Sequence, residues 1–383
     1  MLIDVTRLTD RMLRRQLLTG VDRVSLEYVR HFRARAHALI RVAGRWVVMN
    51  HRNSHRVFDA LLAPDADFPH EIRWCLGRSY ALSWGGSGKP SVLLNISHSG
   101  LDSPSYARQV RRHGWKSIFF LHDLIPITHP EYCRSGEADK HRRRLETMLL
   151  SGQGLIVNSS ATRDALRCFA SRRGWPVPPC VIAPPASAHL PTPETTRPLA
   201  ESYFVVLGTI EPRKNHLLLL QLWRRLAEEL EETAPRLVVI GQRGWECEQV
   251  LDLLERCTAL QRVVVERSRC NDAELSTWLH HARALLFPSF AEGYGIPLVE
   301  ALSHGVPVIA SDLPVFREIA QDIPDYLDPN DWAGWRRKVL DYAQPGSPAR
   351  LAQCARLGGF RGPTWEEHFA MTEGLMREVY ERQ

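Results

Sequence analysis

No stretch of this 383-residue chain approaches the roughly 20 consecutive apolar residues that a membrane-spanning helix needs. The first residues, MLIDVTRLTDRMLRRQ, also lack the charged-then-apolar layout of a secretory signal. The eight cysteines are scattered, with no CxxC pair and no Cys/His cluster at metal-ligand spacing. We therefore expect a cytoplasmic protein with reduced thiols and no metal site.

Two common nucleotide-binding loops are missing as well. No predicted strand is followed by G-x-G-x-x-G, and G-x-x-x-x-G-K-[ST] does not occur. These absences argue against a dinucleotide-dependent oxidoreductase and against a P-loop NTPase.

Charge is distributed unevenly along the chain. Residues 1–200 carry 29 Lys/Arg and 16 Asp/Glu, a net of +13, whereas residues 201–383 carry 20 and 27, a net of −7. A basic half indicates an anionic neighbour, either nucleic acid or an anionic membrane surface, or simply a basic solvated surface. The basic residues are spread out, and no aromatic-rich basic groove or nucleic-acid motif accompanies them, so we expect no nucleic-acid partner.

The length suggests two domains, and 44% hydrophobic residues suffice for a sizeable core. In the first half we predict a strand over residues 1–8, a loop over 9–20 and a helix that begins near Val21. Short apolar runs bounded by polar turns, which are typical of buried parallel strands, follow in SVLLNIS (91–97), WKSIFFLHDLIP (115–126) and GQGLIVNSS (152–160).

Residues 183–202 contain five prolines among small polar residues, which predicts an extended linker. Strands alternate with helices after it, in the runs that start with YFVVL, RLVVI, RVVVE, ARALLF and VPVIA. The sequence therefore predicts an α/β protein with one open parallel sheet in each half and a cleft between them. Ligands of such folds bind at the carboxyl ends of strands.

Polar residues follow two predicted strands of the second half. Gly208 ends the first of them, and Arg213 and Lys214 come before a helix, where they can bind a diphosphate or merely decorate a loop. Arg267 and Ser268 end a later strand and form a weaker candidate site.

The stretch FPSFAEGYGIPLVEALSHG (287–305) is the third candidate. Pro297 fits the first turn of a helix, and the glycines at 293 and 295, which flank Tyr294 and precede Ile296, allow the backbone to approach a ligand. Glu292 and Glu300 can accept hydrogen bonds from sugar hydroxyls. Taken alone, Glu300 could equally be an exposed helical residue.

GTIEPRKNH (208–216) together with FPSFAEGYGIPLVEALSHGVPVIASD (287–312) resembles the donor domain of the retaining GT-B glycosyltransferases of family 4. Glu292 and Glu300 match the E-x7-E motif of that family, and EPRKN matches its phosphate-binding segment. TGVDRVSLEYVRHF (19–32), LHDLIPITHPEY (121–132) and the closing residues 365–380 extend the likeness over almost the whole chain. The family often has two adjacent glycines in its first loop, whereas this chain has only Gly20.

The resemblance implies a nucleotide-sugar donor and no cofactor or metal. Arg213 and Lys214 would neutralise the leaving diphosphate, and Glu300 would bind the ribose. Glu292 and His122 would contact the transferred sugar, while Gly20 would let backbone N–H groups approach the diphosphate. The nucleotide base would lie near Arg267 and Ser268. The remaining candidates would line the donor site: Gly208, Gly293, Tyr294, Gly295 and Ile296. A first domain over 1–190, joined by a returning helix over 364–383, would face a donor domain over 200–363.

At subfamily level the chain looks most like bacterial mannosyltransferases that build surface polysaccharides. GDP-mannose would then be the donor and a lipid-linked oligosaccharide the acceptor, at the inner face of the cytoplasmic membrane. Segments 11–18 and 140–150 mix Arg with Leu and Met as interfacial helices do, or they form solvated helix faces. A UDP-sugar or another GDP-sugar as donor, and a GT-B-fold sugar-nucleotide epimerase, remain alternatives.

Overall fold

The structure is a computed structural model that describes residues 1–82, 91–188 and 190–381. The chain divides into two compact units. The first contains the described residues of Met1–Leu124, Asp139–Pro185 and Glu366–Gln383, and the second contains Ile125–Ala138 and Ala186–Trp365. Residues 125–138 thus belong by their contacts to the second unit, although they lie between segments of the first.

The first unit is built on a seven-stranded sheet in its described part, with the order β3-β2-β1-β4-β5-β6-β7. Its central strands β4 and β6 are buried at every position and β5 at every position after Lys116, which is why their sequences are mostly apolar runs. The strands are β1 (Leu2–Asp4), β2 (His37–Val42), β3 (Arg45–Val48), β4 (Val92–Asn95), β5 (Lys116–Leu121), β6 (Gly154–Val157) and β7 (Cys180–Ile182).

One edge of this sheet departs from the predicted parallel arrangement. Strand β3 pairs with β2 in antiparallel register, with Val42 opposite Arg45. The two residues between them, Ala43 and Gly44, have φ values of 47° and 74°. Two consecutive positive φ angles form the tight turn that two-residue hairpins prefer, so the chain reverses here without a crossover helix.

Helices cover the first unit: α1 (Thr6–Leu13), α2 (Gly20–Phe32), α3 (His51–Leu62), α4 (Phe68–Leu82), α5 (Pro104–His113), α7 (Glu137–Ser151), α8 (Ser160–Ser171) and α17 (Trp365–Glu381). The predicted first strand is present, but its predicted end was wrong, because β1 ends at Asp4 and α1 occupies the last part of the predicted strand and the first part of the predicted loop. Asp4 accepts a hydrogen bond from the Thr6 N–H at the start of α1, and the helix buries Leu8 and Thr9.

Neither basic segment forms an interfacial helix with an exposed apolar face. Helix α1 ends at Leu13, so residues 14–18 are not helical. In α7, Leu145, Met148 and Leu149 are buried, and only Leu150 is exposed among its leucine and methionine side chains. Most apolar residues of α7 therefore serve the core, and Arg142 and Arg143 lie on its exposed face.

The second unit has a six-stranded sheet in its described part, with the order β10-β9-β8-β11-β12-β13, and every pair is parallel. Its strands are β8 (Tyr203–Leu207), β9 (Arg236–Ile240), β10 (Val264–Arg267), β11 (Leu285–Phe287), β12 (Val308–Ser311) and β13 (Asp325–Leu327). Its helices are α6 (Ile125–Thr128), α9 (His216–Leu230), α10 (Glu248–Arg256), α11 (Thr258–Gln261), α12 (Asp272–His280), α13 (Ile296–Ser303), α14 (Pro314–Ala320), α15 (Trp332–Ala343) and α16 (Pro348–Leu357).

The proline-rich segment forms neither helix nor strand over 183–188 and 190–202. Position 189 lies outside the described residues. Two sheets with strands and helices in alternation confirm the predicted α/β class. None of the helices formed by the described residues has the length and apolar character needed to cross a membrane.

The last helix, α17, packs on α2 within the first unit. The ring of Phe369 lies parallel to His31 at 3.9 Å and meets Tyr28 edge-on at 5.1 Å. The buried His368 ring hydrogen-bonds with the Tyr28 hydroxyl at 2.9 Å. His368 and Phe369 of α17 are therefore part of the core of the first unit.

We expect Phe369→Ala to lower the free energy of unfolding by about 3–5 kcal/mol, because it opens a cavity among aromatic side chains. Urea unfolding followed by circular dichroism measures the change. Met371→Ala on the same helix is the control, since Met371 is 43% exposed and its truncation should cost no more than about 0.5 kcal/mol. Equal losses in the two variants would contradict the packing of α17.

Candidate functional site

The candidate site lies where two neighbouring strands of the second sheet end. Strand β8 pairs with β11, so the loops that follow their carboxyl ends lie side by side. The loop after β8 carries Arg213 and Lys214 in a short 3₁₀ turn, and the loop after β11 carries Glu292. The backbone N–H of Phe290 donates to the Arg213 carbonyl at 2.9 Å, which ties the two loops together.

Glu292 lies between two cations. Its Oε1 accepts from Lys214 Nζ at 2.6 Å and from the Ser289 hydroxyl at 2.7 Å. Its Oε2 lies 2.6 Å from Arg213 Nη1. The side chains of Glu292, Lys214 and Arg213 are only 7%, 11% and 18% exposed. Arg213 and Lys214 are therefore paired and largely buried, and they are not exposed side chains on the surface of a loop.

Burial by itself would raise the pKa of Glu292, since it disfavours the charged form. The charges of Arg213 and Lys214, together with hydrogen bonds from Lys214 and Ser289, outweigh burial and lower the pKa of Glu292 to about 2. Glu292 is accordingly a carboxylate at neutral pH. A group with this pKa accepts hydrogen bonds and does not act as a general acid.

Glu211 is a member of the site that the sequence did not single out. Its Oε1 accepts from Arg213 Nε at 3.1 Å and from Arg213 Nη2 at 2.6 Å, and the side chain is 6% exposed. Arg213 Nη1 also donates to the Ala291 carbonyl at 2.8 Å. The signal in the sequence was a carboxylate, Glu211, two residues before Arg213 in EPRKN.

The glycine at 208 makes room for Lys214. Gly208 has a φ of 142°, and a Cβ atom there would lie 3.3 Å from Lys214 Cε. A side chain at 208 would therefore strain the backbone and displace the lysine. Gly208 thus leaves the space that the Lys214 side chain occupies.

Helix α13 starts beside Glu292, as predicted from Pro297. Gly295 precedes it with a φ of 115°, no side chain caps this end of the helix, and Ile296 is its first residue. A Cβ at position 295 would lie 2.7 Å from the Phe316 ring, so this glycine is required for packing as well as for backbone conformation. Gly293 and the buried Tyr294 connect the loop to the helix.

Glu300 lies within α13 and is 2% exposed. It is therefore not an ordinary exposed helical residue. Arg267 and Ser268, in contrast, are exposed at the end of β10, an edge strand that β9 separates from β8. The Arg267 guanidinium lies 5.5 Å from the centre of the Trp278 ring. These two residues are not part of the Glu292 cluster.

His122 follows β5 in the first unit, and its surroundings fix its orientation. Its Nε2 donates to the Ile96 carbonyl at 2.7 Å, and its own carbonyl accepts from Asn158 Nδ2 at 2.7 Å. Burial lowers the pKa of His122 to about 4, so the ring is neutral at pH 7. In that tautomer Nδ1 carries a lone pair and can accept a hydrogen bond.

Gly20 is the first residue of α2, where Thr19 and Asp22 form a capping box. Asp22 is fully buried and pairs with Arg7 at 2.8 Å and with Arg11 at 3.0 Å. These contacts fix the start of the helix.

The first unit also has a residue that sequence reasoning missed. His98 follows β4 and has a φ of 60°, which is uncommon for a residue with a side chain. Its ring centre lies 5.1 Å from that of His122. The predicted strand SVLLNIS ends one residue before it, so the sequence places His98 at a strand end, as it does His122. Among the described residues, no group of three or more His, Cys, Asp and Glu side chains is arranged to hold a metal ion.

The lowered pKa of Glu292 makes a prediction about stability. Because the native state holds this carboxylate ionised, its contribution is fully present above about pH 4.5 and is lost as the pH falls toward 2. We expect the difference in unfolding free energy between wild type and Glu292→Gln to shrink over this range.

Urea unfolding at a series of pH values measures this difference, and Glu366→Gln, which removes an exposed carboxylate, is the comparison. A Glu292→Gln difference that stays constant between pH 5 and the acid limit of folding would contradict the charge pairing.

Comparison with known proteins shows which family the second unit is similar to. Residues 193–344 match the family Glycosyl transferases group 1. The serotype-specific mannosyltransferase WbdA of Escherichia coli is 30% identical over 254 residues, which are 61% of this chain and 31% of WbdA. O-antigen chain mannosyltransferase B of Escherichia coli is 29% identical over 262 residues, which are 66% of this chain and 67% of that protein. The chain thus spans about a third of the length of WbdA.

Solved structures share the fold. Sucrose-phosphate synthase from Thermosynechococcus elongatus superposes with a TM-score of 0.67 at 15% identity and covers 100% of this chain and 99% of its own. HepE of Anabaena, solved in complex with UDP, gives a TM-score of 0.64 at 14% identity over 98% of this chain and 99% of its own. The predicted GT-B fold class, with two Rossmann-like domains, is confirmed. Residues 193–344 are a glycosyl transferases group 1 domain, and the chain is homologous to the O-antigen mannosyltransferases.

Proposed function

We propose that this protein is a retaining glycosyltransferase that transfers mannose from GDP-mannose to a lipid-linked oligosaccharide during cell-surface polysaccharide synthesis. The observation that carries the proposal is the buried cluster of Glu292, Arg213 and Lys214 at the ends of two adjacent strands. It lies inside the glycosyl transferases group 1 domain. The two Escherichia coli relatives, both mannosyltransferases by name, support the choice of sugar.

The donor is held mainly by the second unit in this proposal. Lys214 and its neighbour Arg213 supply positive charge near the diphosphate, and the N-terminus of α13 adds its dipole. Glu292 accepts hydrogen bonds from hydroxyls of the transferred sugar, and Glu300 binds the ribose. Gly208, Gly293, Tyr294, Gly295 and Ile296 line the donor site, with Arg267 and Ser268 near the base.

From the first unit, His122 contacts the transferred sugar and Gly20 brings backbone N–H groups to the diphosphate. Because His122 Nε2 already donates to Ile96, the histidine meets a sugar hydroxyl as an acceptor through Nδ1. The neutral ring does not add positive charge beside the diphosphate.

The reaction retains the anomeric configuration by displacement on the front face of the sugar. The bond from the anomeric carbon to the phosphate oxygen breaks, the acceptor oxygen bonds to that carbon, and the leaving phosphate accepts the acceptor proton. No protein nucleophile is needed, so the protein contributes positioning and charge stabilisation. The reaction requires neither a cofactor nor a metal in this proposal.

Binding of nucleotides tests the donor site. We expect GDP and GDP-mannose to raise the unfolding temperature of the wild type, because a ligand that binds only the native state stabilises it by mass action. Glu292→Ala and Lys214→Ala should fold and yet lose transfer from GDP-mannose to an alkyl mannoside that mimics the lipid-linked acceptor. Transfer at wild-type rates in either variant would refute the site.

A thermal shift with UDP alone would replace GDP-mannose by a UDP-sugar as the donor. Interconversion of nucleotide sugars without any acceptor would identify an epimerase instead. Glu366→Ala, which alters an exposed residue outside the site, is the matched control for both activity and stability.

We also propose that the basic first half of the chain binds the anionic inner surface of the cytoplasmic membrane, where a lipid-linked acceptor resides. The support is the net charge of +13 over residues 1–200. Each basic residue near such a surface contributes about 1 kcal/mol. Cosedimentation with vesicles that contain phosphatidylglycerol should exceed that with phosphatidylcholine vesicles and should fall with salt. Equal binding to both vesicle types would contradict this partner.

A further inference from the structure

The two neighbouring cations of the site are held in different ways. The Arg213 guanidinium donates two hydrogen bonds to Glu211 and one to the Ala291 carbonyl, and it forms an ion pair with Glu292. The partners come from two loops: Glu211 precedes Arg213 in the loop after β8, and Ala291 and Glu292 belong to the loop after β11. A guanidinium used in this way joins two loops in one fixed geometry.

Lys214 has a simpler environment. Its Nζ donates to Glu292 Oε1 at 2.6 Å and lies 5.0 Å from the centre of the Phe287 ring. An ammonium group is a compact charge on a flexible stem, with three donors that can be redirected. Lys214 can therefore turn to a new anion by a small movement of its side chain.

The cost of releasing each cation also differs. If Arg213 turned to a phosphate, the Glu211 carboxylate would lose the partner of both its hydrogen bonds while remaining 6% exposed. A buried charge without its partner destabilises a protein strongly. If Lys214 turned instead, Glu292 would keep Arg213 at 2.6 Å and Ser289 at 2.7 Å.

We infer that Glu211 and Arg213 are positioning residues that clamp the loop carrying Glu292, whereas Lys214 is the side chain that binds the diphosphate of the donor. This inference rests on the proposed function for the identity of the ligand. The clamp itself consists of contacts within the protein. Glu211 neutralises Arg213 and orients it, and Arg213 then fixes Ala291 and Glu292 for the transferred sugar.

Arg213→Lys is the most informative variant, because it keeps the positive charge and removes the fork. If Arg213 supplied only charge to the diphosphate, lysine would preserve its role. As a clamp it cannot be replaced, and we expect kcat to fall roughly 100-fold, as for a misplaced catalytic group, with little change in the Kd of GDP. Glu211→Gln, which weakens the same hydrogen bonds, should lower kcat in the same direction by less.

Lys214→Met provides the contrast, since it keeps much of the apolar stem and removes the charge. We expect it to weaken the Kd of GDP by roughly tenfold or more, which corresponds to the loss of a charge-assisted hydrogen bond. The double variant Glu211→Gln/Arg213→Lys should lose no more kcat than Arg213→Lys alone, because the two residues act as one unit. Isothermal titration with GDP and steady-state kinetics give both values.

Hydrogen exchange gives a readout that does not depend on any ligand. Arg213→Lys and Glu211→Gln should speed the exchange of amides in residues 289–293, while Lys214→Met leaves it close to wild type. Circular dichroism and the unfolding temperature verify that each variant is folded. If Arg213→Lys does not fold, Glu211→Gln, which is the milder change, tests the clamp in its place.

The inference would be overturned by a wild-type kcat in Arg213→Lys, or by unchanged amide exchange in both Arg213→Lys and Glu211→Gln. It would also be overturned if Arg213→Lys lost as much affinity for GDP as Lys214→Met. A wild type that binds neither GDP nor UDP and transfers no hexose would refute the proposed function instead. In that case the hydrogen exchange of the variants still decides whether the clamp exists.

Discussion

The pairing of Glu292 with Arg213 and Lys214 is the interaction on which the site depends. Each of the three side chains is mostly removed from water, where a charge is costly unless a partner of opposite charge lies beside it. With Glu211 the cluster holds two carboxylates and two cations, so its formal charge is zero. Its members come from loops after β8 and β11, and the sheet places these loops together because the two strands are neighbours.

This balance would allow the proposed donor site to be stable without a ligand and still able to bind an anion. An uncompensated pair of buried cations would attract a diphosphate strongly but would cost stability in its absence. Glu211 and Glu292 remove that cost because they pair with the two cations. A ligand anion then has only to replace one of these carboxylates as the partner of a cation. Lys214 is the group whose exchange leaves every carboxylate paired, which is why its chemistry and that of Arg213 differ although they are adjacent in sequence.

Much of the fold could be predicted because buried parallel strands are continuous apolar runs, and eight such runs correspond to strands of the two sheets. The short or partly exposed elements were not predicted: β2, β3, β7, β13 and α1. Neighbouring strand ends located Arg213, Lys214 and Glu292. The partners Glu211 and Ser289 required side-chain geometry, since a carboxylate near an arginine in sequence does not reveal which hydrogen bonds it accepts. The sequence left open whether segment 140–150 forms an interfacial helix or a solvated helix face, because its pattern is the same for an interfacial helix and for one that faces a core.

The hydrogen bond between Lys214 and Glu292 joins residues that are 78 positions apart. In an unfolded chain both groups are hydrated and independent, and closing so long a loop costs conformational entropy that only the completed sheet repays. In the native structure the pairing of β8 with β11 offsets this cost and brings the two charges together. In such a site, any contact that joins the two loops also stabilises the pairing of β8 with β11 in the middle of the second sheet.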